Sequence, residues 1–308
     1  MVTVIIPTIL RESFFESYSS VILQGGIVDE ILIGVDLPED HKELCKLRTF
    51  LDNQKVLTNV YISGGDKGAG YIRQHLTKLA KSEWIAYLDD DDIFLENKLE
   101  TQVKAAKNNS ANVISSRFSY INVCGKITYK YAPKELLTHD IDISDYLFKA
   151  RSLNLGRNVL ETSTLLVNKK CIASTNWNPI LKRHQDWDFV LRLSKAGFKI
   201  YHTPEVLSHI RLPSNKGISS SNDWQSSLDW FNQNRGLFTE QAAVDFLIGQ
   251  TLRYSLQSRK IEAIKTTLKS YKTKKIPTVN SIILALSSIL NRSVLNKLLS
   301  ALPECGKK

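Results

Sequence analysis

Residues 84–92 read WIAYLDDDD, a run of five apolar residues followed directly by the four aspartates Asp89 to Asp92. A continuous apolar run that ends at a polar break predicts a buried strand, and ligands bind at the carboxyl ends of strands in open α/β sheets. Four adjacent negative charges need a positive partner, and a divalent cation that joins carboxylates to a substrate's phosphates fits best. The alternative is the acidic start of a helix predicted from Leu95 to Ala106, which accounts for only one or two of the aspartates.

The first half of the chain alternates strand-like and helix-like segments around this stretch. The apolar, β-rich segments lie at residues 2–6, 30–35, 56–62 and 83–88. The segments with helical spacing lie between them, at residues 12–23, 41–51 and 69–80. This alternation predicts a Rossmann-like α/β fold, in which helices flank a mostly parallel central sheet with right-handed crossovers.

The length of 308 residues predicts one large domain and a smaller region. We expect a nucleotide-binding and catalytic domain over residues 1–222 and a basic helical C-terminal region over residues 223–308. The segment 212–222 is rich in Ser, Asn, Gly and Pro, which predicts a mobile loop before that region. The four cysteines form no CxxC pair, so neither a disulfide framework nor a zinc site is expected. The chain opens on a strand without the basic head of a signal peptide, which predicts a cytoplasmic protein.

The net charge of +10 lies in the C-terminal region. Residues 251–308 hold 12 Lys and Arg side chains against two acidic ones, whereas the preceding residues are balanced. This asymmetry predicts a polyanionic partner, either nucleic acid or an anionic membrane surface, and a solvated basic helix face is the alternative. The apolar positions near one face of the last helical segment are Ile282, Leu286, Ile289, Leu290 and Leu298. That face fits a helix lying on a membrane surface or, equally, packing on the main domain or on a second subunit of a homodimer.

The order strand, Pro-Thr, helix, strand-Asp, helix, Gly-rich turn with Arg, strand and Asp cluster resembles the inverting family-2 glycosyltransferases with the GT-A fold. The resemblance covers about residues 2–212. It implies donor-binding roles for the first strand and loop, for an aspartate that recognises the base, and for the glycine-arginine segment. In this chain the corresponding residues are Pro7, Thr8, Arg11, Asp36, Gly68 and Arg73.

Two of these roles also make chemical sense by themselves. The carboxylate of Asp36 can accept a hydrogen bond from a uracil imide N–H, and the planar fork of Arg73 can bind phosphate. Without the surrounding pattern, Asp36 would be read as a turn or helix N-cap residue, and Arg73 as an exposed helical cation.

The aspartates are similar to the family's DxD signature. The resemblance implies that Asp89 hydrogen-bonds the donor's ribose and that Asp91 ligates Mn²⁺ or Mg²⁺ on the donor diphosphate. Asp90 and Asp92 would tune the charge of the site or hold supporting contacts. His209 and Arg211 would complete the metal or diphosphate site, with His209 as a second metal ligand, although a lone histidine is more often structural.

Inverting transfer also needs a general base that takes the proton from the acceptor hydroxyl. Asp186 is similar in position to the base of the family, in a segment where Gln185 replaces the usual first acid. The alternative reading of Asp186 is a helix cap. Asp188 is a rival base, although it lies two residues after Asp186 and therefore faces another side of the helix.

The sequence therefore predicts a metal-dependent inverting glycosyltransferase, peripheral on the inner face of the cell membrane. It would move a sugar from a nucleoside diphosphate to a saccharide acceptor linked to a lipid diphosphate. UDP is the expected nucleoside diphosphate. The resemblance implies a bacterial lipopolysaccharide, O-antigen or capsule pathway, with no nucleic-acid partner. A sugar-nucleotide nucleotidyltransferase and a non-catalytic adaptor that uses the basic tail for membrane or nucleic acid are the alternatives.

Overall fold

Four parallel strands, in the order β3-β2-β1-β4, form one half of a nine-stranded sheet, and the acidic stretch follows the last of them. The other half continues as β8-β6-β9-β5, with β7 paired to β6. The strands are β1 (Val2–Thr8), β2 (Val28–Val35), β3 (Thr58–Ile62), β4 (Trp84–Tyr87), β5 (Ile93–Phe94), β6 (Val113–Ile121), β7 (Ile127–Ala132), β8 (Leu166–Asn168) and β9 (Ile200–Arg211).

The computed structural model describes residues 1–54, 56–149, 158–212 and 223–289. Contacts divide the chain into two compact units. Unit 1 comprises Met1–Leu147 and Asn158–Ser219, and unit 2 comprises Phe148–Arg157 and Ser220–Lys308. The domain boundary predicted at residue 222, and all of the predicted loop beyond Leu212, lie outside the described residues, so both stay predictions.

The sheet is mixed rather than mostly parallel. Strands β6 and β9 are parallel to each other, but β8 runs antiparallel to both β4 and β6, and β5 runs antiparallel to β9. Because β8 has three residues and β5 has two, neither carries the alternation that reveals a strand in a sequence. The two short strands predicted near residues 198–201 and 206–210 form one strand, β9.

The helices flank the sheet in unit 1 and make up most of the part of unit 2 that the structure describes. In unit 1 they are α1 (Ser13–Ile22), α2 (Glu43–Leu51), α3 (Ala69–Leu79), α4 (Lys98–Asn108), α5 (Ile143–Phe148, which ends at the boundary) and α6 (Gln185–Lys195). In unit 2 they are α7 (Trp224–Gln233), α8 (Glu240–Phe246), α9 (Arg253–Gln257), α10 (Ile261–Lys269) and α11 (Val279–Ser287). A π-helical turn, Leu247–Leu252, joins α8 to α9.

Burial on both faces of the sheet explains why β1 and β4 are apolar without alternation. Every residue of these two strands is buried. Each fully buried Val or Ile contributes about 1.5–3 kcal/mol. Helix α3 packs so closely on β2 that a Cβ at Gly34 would lie 2.0 Å from Ile72 Cγ2. This close approach sets where the amino end of α3, with Gly68 and Arg73, meets the end of β2 at Asp36.

Helix α11 packs on the rest of unit 2 through its small residues. Ser281 and Ala285 are buried, and Ser281 Oγ donates to Asp245 Oδ1 at 3.0 Å. The large apolar side chains of the same helix are exposed: Val279, Ile282, Ile283 and Leu286. Within the described ranges, no helix combines the length and the apolar character needed to cross a membrane.

Lys98, at the start of α4, is a fully buried lysine. Its Nζ donates to Gln102 Oε1 at 2.5 Å and lies 4.3 Å from the centroid of the Phe94 ring. Burial lowers the pKa of Lys98 from 10.5 to about 7. An ammonium group without a carboxylate contact among its hydrogen bonds is costly to bury, so this residue reduces the stability of the fold.

Lys98→Met is therefore expected to raise the free energy of unfolding by about 1–2 kcal/mol near pH 6. The unfolded chain binds the proton more tightly than the folded chain, so the stability of the wild type rises with pH between about 7 and 10.5. The gain from the substitution should shrink over that interval. Denaturant unfolding at about pH 6 and about pH 9 measures it, with Lys104→Met, on the exposed side of the same helix, as the control. An equal gain from both variants would contradict the argument.

Candidate active site

The four aspartates after β4 divide into two buried side chains and two accessible ones. Asp90 is one of the buried pair. Thr8 Oγ1 donates to its Oδ2 at 2.7 Å, and Arg11 Nη1 donates to its Oδ1 at 2.6 Å. Burial raises the pKa of Asp90, and the Arg11 charge and the Thr8 hydrogen bond oppose that rise. Asp90 therefore ties the loop after β1 to the acidic stretch.

Asp92 is the second buried carboxyl and holds the far side of the stretch. Ser163 Oγ donates to its Oδ2 at 2.6 Å, and the backbone N–H of Arg211 donates to its Oδ1 at 2.9 Å. Burial, and then the charges of Asp89 and Asp91, raise the pKa of Asp92. Asp92 thus anchors both the turn that contains Ser163 and the end of β9.

Asp89 and Asp91 are the accessible pair, with side-chain exposures of 35% and 38%. Ser163 Oγ also accepts a hydrogen bond from the backbone N–H of Asp89 at 3.0 Å, which fixes the strand end. Burial of the site, followed by repulsion from Asp89 and Asp90, raises the pKa of Asp91 to about 6. Since its carboxylate is partly exposed and repelled by its neighbours, Asp91 is an accessible position where a cation would relieve repulsion.

Arg73 links the acidic stretch to helix α6. Its side chain is only 6% exposed, and its Nη2 donates to Asp89 Oδ1 at 2.5 Å. Its Nη1 donates to Gln185 Oε1 at 2.5 Å, and its guanidinium lies 5.0 Å from the ring centroid of Trp177. Arg73 thus links Asp89, on the donor side, to the helix that carries the candidate base.

Asp36, at the end of β2, fastens the glycine-containing turn before α3. Its carboxylate accepts hydrogen bonds from Ser63 Oγ, from the backbone N–H of Lys67 at 3.0 Å and from the backbone N–H of Gly68 at 2.7 Å. Gly68 has a φ of 82°, in the left-handed region that favours glycine. Asp36 therefore holds the turn in place, and its predicted contact with the donor's base stays a prediction, as does the role of Pro7, which is buried within β1.

The first turn of α6 brings Asp186 to the site and keeps Asp188 away from it. Burial raises the pKa of Asp186 to about 6, and the nearby Asp89 charge acts in the same direction, while hydrogen bonds to backbone N–H groups and the Arg73 charge oppose the rise. Asp188 is buried, and its Oδ2 pairs with Arg192 Nη2 at 2.6 Å. Because the rival carboxylate is bound to an arginine, Asp186 is the better-placed base.

His209 and Arg211 lie on β9, beside the end of the acidic stretch. His209 pairs with Ile93 across the β5–β9 ladder, and its Nδ1 hydrogen-bonds Ser119 Oγ at 2.5 Å. Burial lowers the pKa of His209, which favours the neutral imidazole. The Arg211 guanidinium pairs with Glu16 at 2.8 Å and donates to the carbonyl of Asp91 at 2.9 Å. Arg211 therefore links the acidic stretch to Glu16 on α1.

Comparison with known families agrees with this geometry. Residues 3–165, just over half of the chain, match the profile described as Glycosyl transferase family 2. The chain belongs to glycosyltransferase family 2. The family resemblance predicted from the sequence is therefore confirmed.

Solved structures show that this family-2 glycosyltransferase has the predicted GT-A fold. The chain is similar to residues 1–349 of TarS from S. aureus, solved in complex with UDP-GlcNAc, with a TM-score of 0.61 at 16% sequence identity. The match covers 88% of this chain and 80% of that one.

Curated relatives of the chain include three named glycosyltransferases. The UDP-Glc:alpha-D-GlcNAc-diphosphoundecaprenol beta-1,3-glucosyltransferase WfgD of Escherichia coli is 32% identical over 46% of this chain and 54% of the relative. An uncharacterized glycosyltransferase of Methanocaldococcus jannaschii is 26% identical over 64% of this chain and 65% of the relative. The amylovoran biosynthesis glycosyltransferase AmsB of Erwinia amylovora is 21% identical over 82% and 80%. The chain thus spans less than two thirds of the first two relatives.

The residues of the family-2 glycosyltransferase fit a divalent cation that is shared with a donor. Among the described residues, no group of three or more His, Cys, Asp and Glu side chains is arranged to hold a metal ion alone. Mg²⁺ is commonly bound through one or two carboxylates together with substrate phosphates. Asp91, partly exposed and repelled by its neighbours, offers one such ligand, and His209 pairs across the sheet with Ile93, two residues after Asp91.

Several supporting residues escaped the sequence analysis. Ser163 binds both Asp89 and Asp92, and Glu161, two residues earlier, lies near Asp89 and Asp186. Both belong to a short turn before β8 that has no helical or strand periodicity. A Ser-Thr-rich sequence that follows a lone acid, at residues 161–164, is the only signal of this turn.

Proposed function

We propose that the chain transfers a sugar from a nucleoside diphosphate, with UDP as the nucleoside diphosphate, to a hydroxyl of a saccharide, with inversion at the anomeric carbon. One observation carries the proposal. The accessible carboxylate Asp89 and the candidate base Asp186 share one buried arginine, Arg73, which contacts Asp89 and Gln185 directly and whose charge acts on Asp186; Asp91, the other accessible carboxylate, follows Asp89 by two residues. This arrangement supports a donor side at the acidic stretch and an acceptor side at α6, on neighbouring elements.

In the proposed reaction Asp186 takes the proton of the acceptor hydroxyl as its oxygen attacks the anomeric carbon. The new carbon–oxygen bond forms on the face opposite to the bond that breaks, and the departing diphosphate keeps the electron pair of that bond. With a pKa raised to about 6, Asp186 is ionised at neutral pH and yet a stronger base than an ordinary aspartate. That combination suits a general base.

The donor side of the site would receive the negative charge of the departing diphosphate. Asp91, with His209 as the predicted second ligand, would hold Mn²⁺ or Mg²⁺, and the chemistry supplied by that cation is stabilisation of the developing charge. Arg11 adds a positive charge here, because its Nη1 lies 3.9 Å from Asp91 Oδ2. Its side chain is 54% exposed, so a donor can reach it. Asp89, held by Arg73, would accept a hydrogen bond from the donor's ribose.

The names of the relatives support a polysaccharide pathway and a lipid-linked acceptor. WfgD is named for transfer of glucose from UDP to a saccharide on a lipid diphosphate, and AmsB for amylovoran biosynthesis. We extend that class of acceptor, a saccharide on a lipid diphosphate in a bacterial surface-polysaccharide pathway, to this chain.

Thermal-shift measurements with nucleotide sugars, each with and without Mn²⁺, test the proposed function. We expect UDP-sugars to raise the melting temperature and Mn²⁺ to increase that shift, because a ligand that binds only the folded chain stabilises it. GDP-sugars serve as the control for the base. If none of the nucleotide sugars gives a cation-dependent shift in melting temperature, the proposal is wrong.

We also propose that the C-terminal helical region, residues 223–308, rests on an anionic membrane surface from the cytoplasmic side. Support comes from α11, which turns its small residues inwards and leaves Val279, Ile283 and Leu286 exposed by 70%, 41% and 53%. The neighbouring segment 260–275 carries six lysines and one acid. Exposed apolar side chains next to basic ones are typical of an interfacial helix.

The double variant Ile283→Ser/Leu286→Ser is expected to lower binding to vesicles of phosphatidylglycerol and phosphatidylcholine by about tenfold or more, because about two buried apolar side chains are removed from the interface. Vesicle flotation measures the bound fraction. Leu57→Ser, which removes an exposed apolar side chain from unit 1, is the control. Unchanged flotation of the double variant would refute the membrane proposal.

A further inference from the structure

Glu161 is an acidic residue in the candidate active site to which the proposed reaction assigns no part. It precedes the short 3₁₀ turn Thr162–Thr164, and its side chain makes no capping hydrogen bond there. Only its backbone carbonyl serves the turn, accepting from the N–H of Thr164 at 2.9 Å and from Thr164 Oγ1 at 2.7 Å. The carboxyl of Glu161 is therefore available for another purpose.

The turn is fixed to the acidic stretch, which determines where Glu161 lies. Ser163 Oγ bonds both the N–H of Asp89 and the carboxylate of Asp92, and Ser208 Oγ donates to the Ser163 carbonyl at 3.1 Å. Two sequence-distant elements, the acidic stretch and β9, thus hold the turn, so the position of Glu161 relative to Asp89 is determined by direct contacts.

Three groups interact with the carboxyl of Glu161. Tyr120, on β6, hydrogen-bonds it, and the charges of Asp186 and Asp89 act on it. Burial and those two charges raise the pKa of Glu161 to about 8, so the carboxyl is neutral near pH 7. Glu161 and Asp186 are both only partly buried.

We propose that Glu161 binds the acceptor saccharide beside Asp186, by hydrogen-bonding a hydroxyl that does not react. The inference rests on the proposed function and adds a residue to its acceptor side. Tyr120 orients the carboxyl, and Asp186 removes the proton from the neighbouring, reacting hydroxyl. A neutral carboxyl serves this purpose well because it can both donate and accept a hydrogen bond, and it adds no second negative charge next to the base.

Kinetics of three variants test the inference: Glu161→Ala, Glu161→Gln and Tyr120→Phe. The donor is UDP-glucose, and the acceptor probe is a synthetic GlcNAc-diphosphate that carries a short alkyl chain. Donor hydrolysis without the probe is measured in parallel, because that reaction uses water in place of the saccharide.

We expect Glu161→Ala to raise the KM for the probe about tenfold, the effect of losing one buried hydrogen bond. The KM for UDP-glucose and the rate of donor hydrolysis should change by less than about twofold. Glu161→Gln should restore the KM for the probe to within about threefold of the wild type, because the amide also donates and accepts. Tyr120→Phe should have an intermediate effect.

The outcomes separate the inference from the proposed function. A wild type that transfers glucose to the probe, together with a Glu161→Ala variant whose KM for the probe is unchanged, overturns the role of Glu161 alone. A Glu161→Ala variant that loses donor hydrolysis in proportion to transfer also overturns it, since a structural or donor-side role would then explain the loss. A wild type that neither hydrolyses nor transfers any of the UDP-sugars used in the thermal-shift measurements removes the proposed function and the inference with it.

Discussion

Asp186→Asn is expected to lower kcat for sugar transfer by about 10³-fold while UDP binding stays within about twofold of the wild type. The amide keeps the size of the side chain but cannot accept the acceptor's proton. In the wild type, kcat/KM should rise with pH through about 6, because Asp186 must be ionised and its burial raises its pKa to about 6. Steady-state kinetics across pH, with UDP affinity from calorimetry, measure both effects.

Asp188→Asn is the matched control, two residues along the same helix. Asp188 is buried and paired with Arg192 at 2.6 Å. Removing one partner of a largely buried pair is expected to lower the free energy of unfolding by about 2 kcal/mol, with kcat of the folded protein nearly unchanged. The opposite result, with kcat lost in Asp188→Asn and kept in Asp186→Asn, would make Asp188 the base.

Asp91→Asn is expected to abolish the Mn²⁺-dependent part of UDP binding, a loss of about 10²-fold in affinity. The same substitution should make the ligand-free protein more stable at neutral pH. The folded-state pKa of Asp91 is raised from 3.8 to about 6, so ionisation costs stability as pH rises through that interval. Because the side chain is 38% exposed, solvent screening limits the gain to about 1 kcal/mol or less.

These two signs together distinguish a ligand-binding residue from a structural one. A gain in unfolding free energy without ligand, combined with a loss of the cation-dependent shift, is typical of an active site that stores repulsion. Melting temperatures with and without UDP and Mn²⁺ report both quantities. Asp52→Asn, which changes an exposed aspartate at the end of α2, is the control and should alter neither. Cation-dependent UDP binding that survives in Asp91→Asn would assign the cation to another residue.

The sequence was sufficient to predict the elements that have strong periodicity. The apolar runs of β1, β2 and β4 are buried on both faces and have no competing reading, so the parallel half of the sheet and the position of the aspartates followed from them. The order of these segments also carried the family resemblance. Donor-side residues such as Thr8 and Arg11 were predicted from that resemblance; Thr8 ends β1, and Arg11 lies three residues further on.

The remaining features depend on contacts between distant parts of the chain. The mixed half of the sheet relies on β5 and β8, which are too short to show a pattern. The turn with Glu161 and Ser163 gains its position from hydrogen bonds to residues about 70 positions earlier in the sequence. The burial of Arg73 depends on Trp177 and Gln185, which the fold brings together with it.

Arg73 gives the two sides of the site a common mechanical support. One guanidinium binds both Asp89, just after β4, and Gln185, at the start of α6, so a single side chain links the donor side to the helix that carries the candidate base. An exchange for lysine would keep the positive charge but lose the fork that reaches both partners at once. A substitution of Arg73 would therefore displace donor-side and acceptor-side residues together. A compensating substitution on only one side could not restore their alignment.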